Sequence, residues 1–117
     1  MIGTSLTEAA GNATLFIGSG GLSVAEADVE VAVNRAGSAS LLWVVTSVAP
    51  GVGGTFTYTL RKNGVDTGLT VTLSGSTRIG GSAATPAISY NQGDRFSIKL
   101  VTAGAARAFH NWSLKYL

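Results

Sequence analysis

The stretch RKNGVDTGLTVTL, residues 61–73, decides how this chain is read. Asn63-Gly64 is the residue pair that takes positive φ most readily at both positions of a two-residue hairpin turn. Beyond the turn, Leu69, Val71 and Leu73 alternate with Thr70 and Thr72. Before it, Phe56, Tyr58 and Leu60 alternate with Thr55, Thr57 and Thr59. Side chains of a strand point alternately to its two faces, so both arms present one apolar face and one hydroxyl face. The stretch predicts a hairpin that buries one side.

The same period of two extends outward from the hairpin. Strands are predicted at 13–18, 26–34, 39–48, 54–62, 68–74, 86–91, 95–103 and 107–117, separated by GSGG, RAGS, PGVGG, NG, NQGD and AGA turns and the longer GSTRIGGSAAT. No segment carries a helical period. Short strands at even spacing with glycine-rich turns predict an all-β, eight-stranded antiparallel jelly-roll sandwich. Residues 1–12 lack the alternation and read as a short N-terminal arm, with residues 13–117 as the jelly-roll domain. Val29, Val31 and Val33 are predicted inward, as are Phe96, Ile98 and Leu100. In the last strand Trp112, Leu114 and Tyr116 share a face. The run LLWVV, residues 41–45, is apolar at every position, so it is expected to be covered on both sides.

Composition bears on what covers it. Hydrophobic residues make up 45% of the 117-residue chain and charged residues only 12%, against about 25% in ordinary soluble domains. A small domain has much surface to keep wet, so part of this surface is expected to lie against neighbours. There is no cysteine, hence neither a disulfide framework nor a thiolate metal site. No basic leader followed by an apolar run opens the chain, and no window has the length of a membrane span, so neither a signal peptide nor a membrane partner is expected. The eight Lys and Arg are scattered and nearly balanced by six Asp and Glu. A nucleic-acid surface would cluster them, so no nucleic-acid partner is expected.

Chemistry-bearing constellations are few. The one histidine, His110, lies on the same strand face as Trp112. No nucleophile-elbow pattern accompanies it, so it is expected to pack rather than catalyse. The glycine-rich GSGG and PGVGG lead into neither Gly-Lys-Ser/Thr nor a helix, which removes the phosphate-loop reading. Asp66 and Asp94 sit at turns and are expected to bond local backbone. Glu26, Asp28 and Glu30 fall on alternate positions of the expected 26–34 strand as an acidic stripe. We expect no enzyme, no metal and no cofactor.

The cadence of FTYTLRKNGVDTGLTVTL, NQGDRFSIKLVT and the closing HNWSLKYL resembles the small trimeric jelly-roll structural proteins of tailed bacteriophages, the capsid decoration or cement proteins. These share an outline with complement-type and tumour-necrosis-factor-type modules. The resemblance covers residues 54–117 and rests on turn chemistry and strand pattern. It implies a homotrimer that binds the major capsid protein on the outer surface of a virion and is made in the host cytoplasm. A tail-fibre or spike tip that binds a receptor or glycan is the alternative within the same group. The chain departs from fibre tips in having no heptad or repeat shaft ahead of the sandwich. On this reading Tyr58, Trp112 and Tyr116 are the aromatic candidates for the trimer contact. Ile2 and Leu6 in the arm, with Glu26, Asp28 and Glu30, are the candidates for the shell contact.

Overall fold

The computed structural model describes residues 2–5, 9, 11–18 and 21–117. Among them the chain is all-β, with eleven strands, where the alternation predicts eight, and a single 3₁₀ turn. The strands are β1 (Ile2–Thr4), β2 (Ala13–Gly18), β3 (Gly21–Ser23), β4 (Val31–Ala32), β5 (Gly37–Thr46), β6 (Gly51–Lys62), β7 (Val65–Gly75), β8 (Gly80–Ala83), β9 (Ile88–Tyr90), β10 (Arg95–Ala103) and β11 (His110–Tyr116). They form two antiparallel sheets that enclose one core, a β-sandwich. The first sheet runs β1-β11-β5-β8, with β9 pairing β5 further along the same strand. The second runs β3-β2-β10-β6-β7, with β4 pairing the start of β10.

The hairpin at residues 61–73 forms as its turn chemistry dictates. Asn63 and Gly64 take φ of 50° and 81°, and Lys62 pairs with Val65 across them. Down the two arms Phe56 opposes Leu73 and Tyr58 opposes Val71. All four of those side chains are buried, as are Leu60 and Leu69. The adjoining β10 adds Phe96, Ile98 and Leu100 to the same core. From the opposite sheet come Leu42 and Val44 of β5 and Trp112 and Leu114 of β11. Burying these side chains is the main force that holds the sheets face to face, each contributing roughly 1.5–3 kcal/mol.

Two expectations fail, for identifiable reasons. Residues 26–34 are not one strand: Glu26–Asp28 is the 3₁₀ turn, and only Val31–Ala32 pairs with β10. The Glu26 side chain is drawn back over the second sheet by Arg61, a contact across 35 positions that local alternation cannot reveal. Val29 and Val33 are nonetheless buried. In the arm, Ile2–Thr4 pairs with β11 in the register Ile2 to Ser113, Gly3 to Trp112 and Thr4 to Asn111. A Cβ on Gly3 would come within 2.6 Å of the Trp112 indole ring. The glycine therefore lets β1 close over the tryptophan, and a three-residue strand built around a glycine leaves no alternation to read.

Candidate functional site

The sandwich has two outer faces of opposite chemistry. On the second sheet, β6 and β7 present hydroxyls in register, with Thr57 opposite Thr72, Thr59 opposite Thr70 and Thr55 opposite Ser74. Beside them lies a charge network. Arg61 Nε donates to Glu26 Oε2 at 2.7 Å, and its Nη1 donates to Asp66 Oδ1 at 2.6 Å. The Ser97 hydroxyl, fully buried, donates to Glu26 Oε2, and Lys99 reaches Asp66 Oδ2. The hydrogen bond from Arg61 holds the Glu26 carboxyl below its ordinary range. Lys99 first, then Arg61, does the same for Asp66. This face satisfies its own charges.

The first sheet is different. Inward residues Leu42, Val44 and Thr46 of β5 are buried, so Leu41, Trp43 and Val45 point outward. Trp43 is 48% exposed and Val45 is exposed beside it. Their cross-strand neighbours on β11 are Lys115, Ser113 and Asn111, and on β8 Ser82 and Gly80 face Trp43 and Val45. The short side chains leave a shallow apolar cleft of about 410 Å³ against Trp43 and Val45, floored by Gly3, Thr4, Asn111 and Ser113. The run that the sequence reads as covered on both sides is covered on one.

His110 lies between the sheets, fully buried. Its Nδ1 is 2.7 Å from the Tyr58 hydroxyl, and the ring meets Phe56 edge-on at 4.7 Å between centroids. Burial pushes its pKa down to about 4 and raises that of the Tyr58 phenol. Neither His110 Nε2 nor Trp112 Nε1 has a hydrogen-bond partner among the described residues. No described carboxylate pairs with the imidazole, and no group of three or more His, Asp or Glu among the described residues converges as a metal site would.

The residues singled out by sequence are placed as follows. Tyr58, 1% exposed, and Trp112, 5% exposed, belong to the core and are not left over for a trimer contact. The reason is register: position 58 faces the sandwich interior with Phe56 and Leu60, and position 112 with Leu114. Tyr116 is half-buried and already engaged. Its hydroxyl donates to the Arg35 carbonyl at 2.7 Å, and the Arg35 guanidinium lies over its ring. The acidic stripe does not exist as a row. Glu26 pairs with Arg61, Asp28 accepts from the Ser23 hydroxyl at 3.0 Å, and Glu30 pairs with Arg95 at 3.4 Å. Asp66 is an ion-pair residue rather than a local turn brace, whereas Asp94 does accept from the Asn91 N–H as expected. Ile2 lies on the edge strand β1, and Leu6 falls outside the described residues. Sequence reasoning missed Trp43 and Val45 as exposed residues, although the unbroken apolar run carried the signal.

Comparison with protein-family models finds no family that matches, and comparison with curated proteins finds no relative.

Proposed function

We propose that this chain is a structural assembly module of a virion, a capsid decoration protein that acts as a homotrimer on the outer shell. The observation that carries the reading is the contrast between the two sheet faces. A sheet with Leu41, Trp43 and Val45 outward has an uncovered apolar surface on a chain with few charges, and such patches belong to protein contacts. A second copy of the chain is the partner that every molecule has to hand, and a closed ring hides the patch on all members. Trp43 replaces Tyr58 and Trp112 as the aromatic anchor of that contact.

The strand order supports the finer fold. Taking β8 with β9, β2 with β4, and β3 as an edge flap leaves eight segments. One sheet then alternates first, last, third and sixth segments and the other second, seventh, fourth and fifth. That order matches the two Greek keys of a jelly roll, which supports reading the sandwich as one. His110, seated between Phe56 and the Tyr58 hydroxyl, reads as a packing residue, which favours a non-enzymatic role. In the proposed mechanism each trimer covers seams between capsid subunits. Binding only the assembled shell stabilises it by mass action, and three footprints act together.

The test is the copy number of this chain in purified virions of its source, by quantitative mass spectrometry against the major capsid protein. Near-stoichiometric abundance is expected. A few copies per particle would move the chain to the tail tip and favour receptor binding, and complete absence would reject the virion reading.

A further inference from the structure

The described acids gather at one end of the sandwich, with Arg61, Lys62, Arg95 and Lys99 paired to them. The five described side-chain carboxylates, Glu26, Asp28, Glu30, Asp66 and Asp94, all lie toward one end, around the Asn63-Gly64 hairpin, the 3₁₀ turn and the β9–β10 turn. That end is tied together by Asn63 Nδ2 to Asp94 Oδ1 at 3.0 Å, the Asn63 N–H to the Arg95 carbonyl at 2.9 Å, and the Arg61–Glu26 pair. The opposite end is built from the β5–β6, β7–β8 and β10–β11 connections. It carries exposed Arg78 and Arg107 with no described acid.

That end is preformed and exposes apolar side chains. Backbone bonds knit its three loops: the Thr46 N–H to the Ile79 carbonyl at 2.8 Å, Ser47 to Phe109 at 3.0 Å, and Ala106 to Pro50 at 2.9 Å. Val48, Ile79 and Phe109 are exposed on it. Its tip is Val52, 91% exposed. The ladder explains why: Gly51 pairs with Gly75 but the next pair is Thr55 with Ser74, so residues 52–54 bulge out of β6 unopposed. Gly51 and Gly53 hold that bulge at φ of 104° and 75°, a backbone that side-chain-bearing residues rarely adopt. Two glycines thus stand a bare valine in solvent, at an end whose cations face no described acid.

We propose that this loop end is the foot by which the protein docks on its partner, and that the partner surface is a protein surface with an apolar depression rimmed by carboxylates. Charge complementarity selects that chemistry. Arg78 and Arg107 have no described carboxylate of their own, and opposite charge across an interface steers and registers docking. Val52, Phe109, Ile79 and Val48 supply the desolvated centre. The proposal rests on the reading of the chain as a shell-binding module and identifies which end meets the shell. The carboxylate-bearing end, whose acids are engaged internally, then faces away.

The experiment uses shells assembled from the major capsid protein without this chain, with binding followed by co-sedimentation. Wild type, Val52→Asp, Arg107→Glu and the opposite-end control Val65→Asp are compared, each first checked for an unchanged thermal midpoint. Val52→Asp and Arg107→Glu are each expected to weaken binding at least tenfold, with the Arg107→Glu loss shrinking in high salt, while Val65→Asp binds as wild type. Wild type that binds, with both foot variants binding equally well, overturns the foot and leaves the shell reading intact. Wild type that fails to bind shells overturns both. Binding of wild type to phosphatidylserine–phosphatidylcholine vesicles but not to shells, lost in Val52→Asp, makes the foot a lipid contact and overturns the protein partner.

Discussion

The His110–Tyr58 pair makes stability depend on pH in a window above that of the ion-paired carboxylates. In the folded chain burial holds the imidazole pKa near 4, against 6.5 when it is free in solution. The unfolded chain therefore binds the proton more tightly. Unfolding stability is full above the unfolded value and is lost as pH falls through 6.5 toward 4. Each tenfold difference in proton affinity between the two states corresponds to about 1.4 kcal/mol, so lowering the pH from about 7.5 to about 5 should remove about 2 kcal/mol from the unfolding free energy. Glu26, Asp66 and Asp94 have carboxyl pKa values below the ordinary range and contribute to acid sensitivity only further down. Urea unfolding at several pH values across that window, in wild type and His110→Gln, isolates the contribution of the imidazole. Wild type should lose stability across the series, and the variant, though less stable at the alkaline end, should be nearly flat. A flat wild-type profile, or an equal slope in both proteins, would refute the buried neutral imidazole.

Three further outcomes follow from the packing. Gly3→Val drives a side chain into the Trp112 indole and should lower stability by about 1–3 kcal/mol, read as a reduced urea midpoint. Glu26→Ala strips Arg61 of one partner and leaves the buried Ser97 hydroxyl without its acceptor. It should cost about 1–3 kcal/mol, and hydrogen exchange should quicken in the 3₁₀ turn while the amides of β11 stay protected. Trp43→Ser should leave the circular dichroism spectrum unchanged but weaken self-association at least tenfold, on the order of 2 kcal/mol for an aromatic anchor, measured by sedimentation equilibrium.

What the sequence disclosed depended on whether the deciding information was local. The bounds of β2 and β10 agree with those expected for ATLFIG and RFSIKLVTA because each is a short strand-forming run set between glycine-containing turns. The 61–73 hairpin was equally legible, since Asn63-Gly64 dictates its own backbone. Residues 26–34 misled because Val29, Val31 and Val33 keep the period of a strand, while the fold there is decided by Arg61 on a distant strand. Period two also says which residues share a face without saying which face is inside. That is why Tyr58 and Trp112 read as candidates for a contact when they fill the core, and Trp43 emerged only once the second sheet was seen to cover one side of β5. The foot was least legible. Its parts come from three separate loops, and the bulge that raises Val52 is a matter of register.

Whether further copies of the chain cover the apolar face of β5 can be read from light scattering on the eluting peak of a size-exclusion column at micromolar concentration. The expected mass is three times the 11.8 kDa of the chain, falling toward one chain mass in Trp43→Ser. A wild-type protein that elutes with the mass of a single chain would rule out the trimer and, with it, the role given to Trp43.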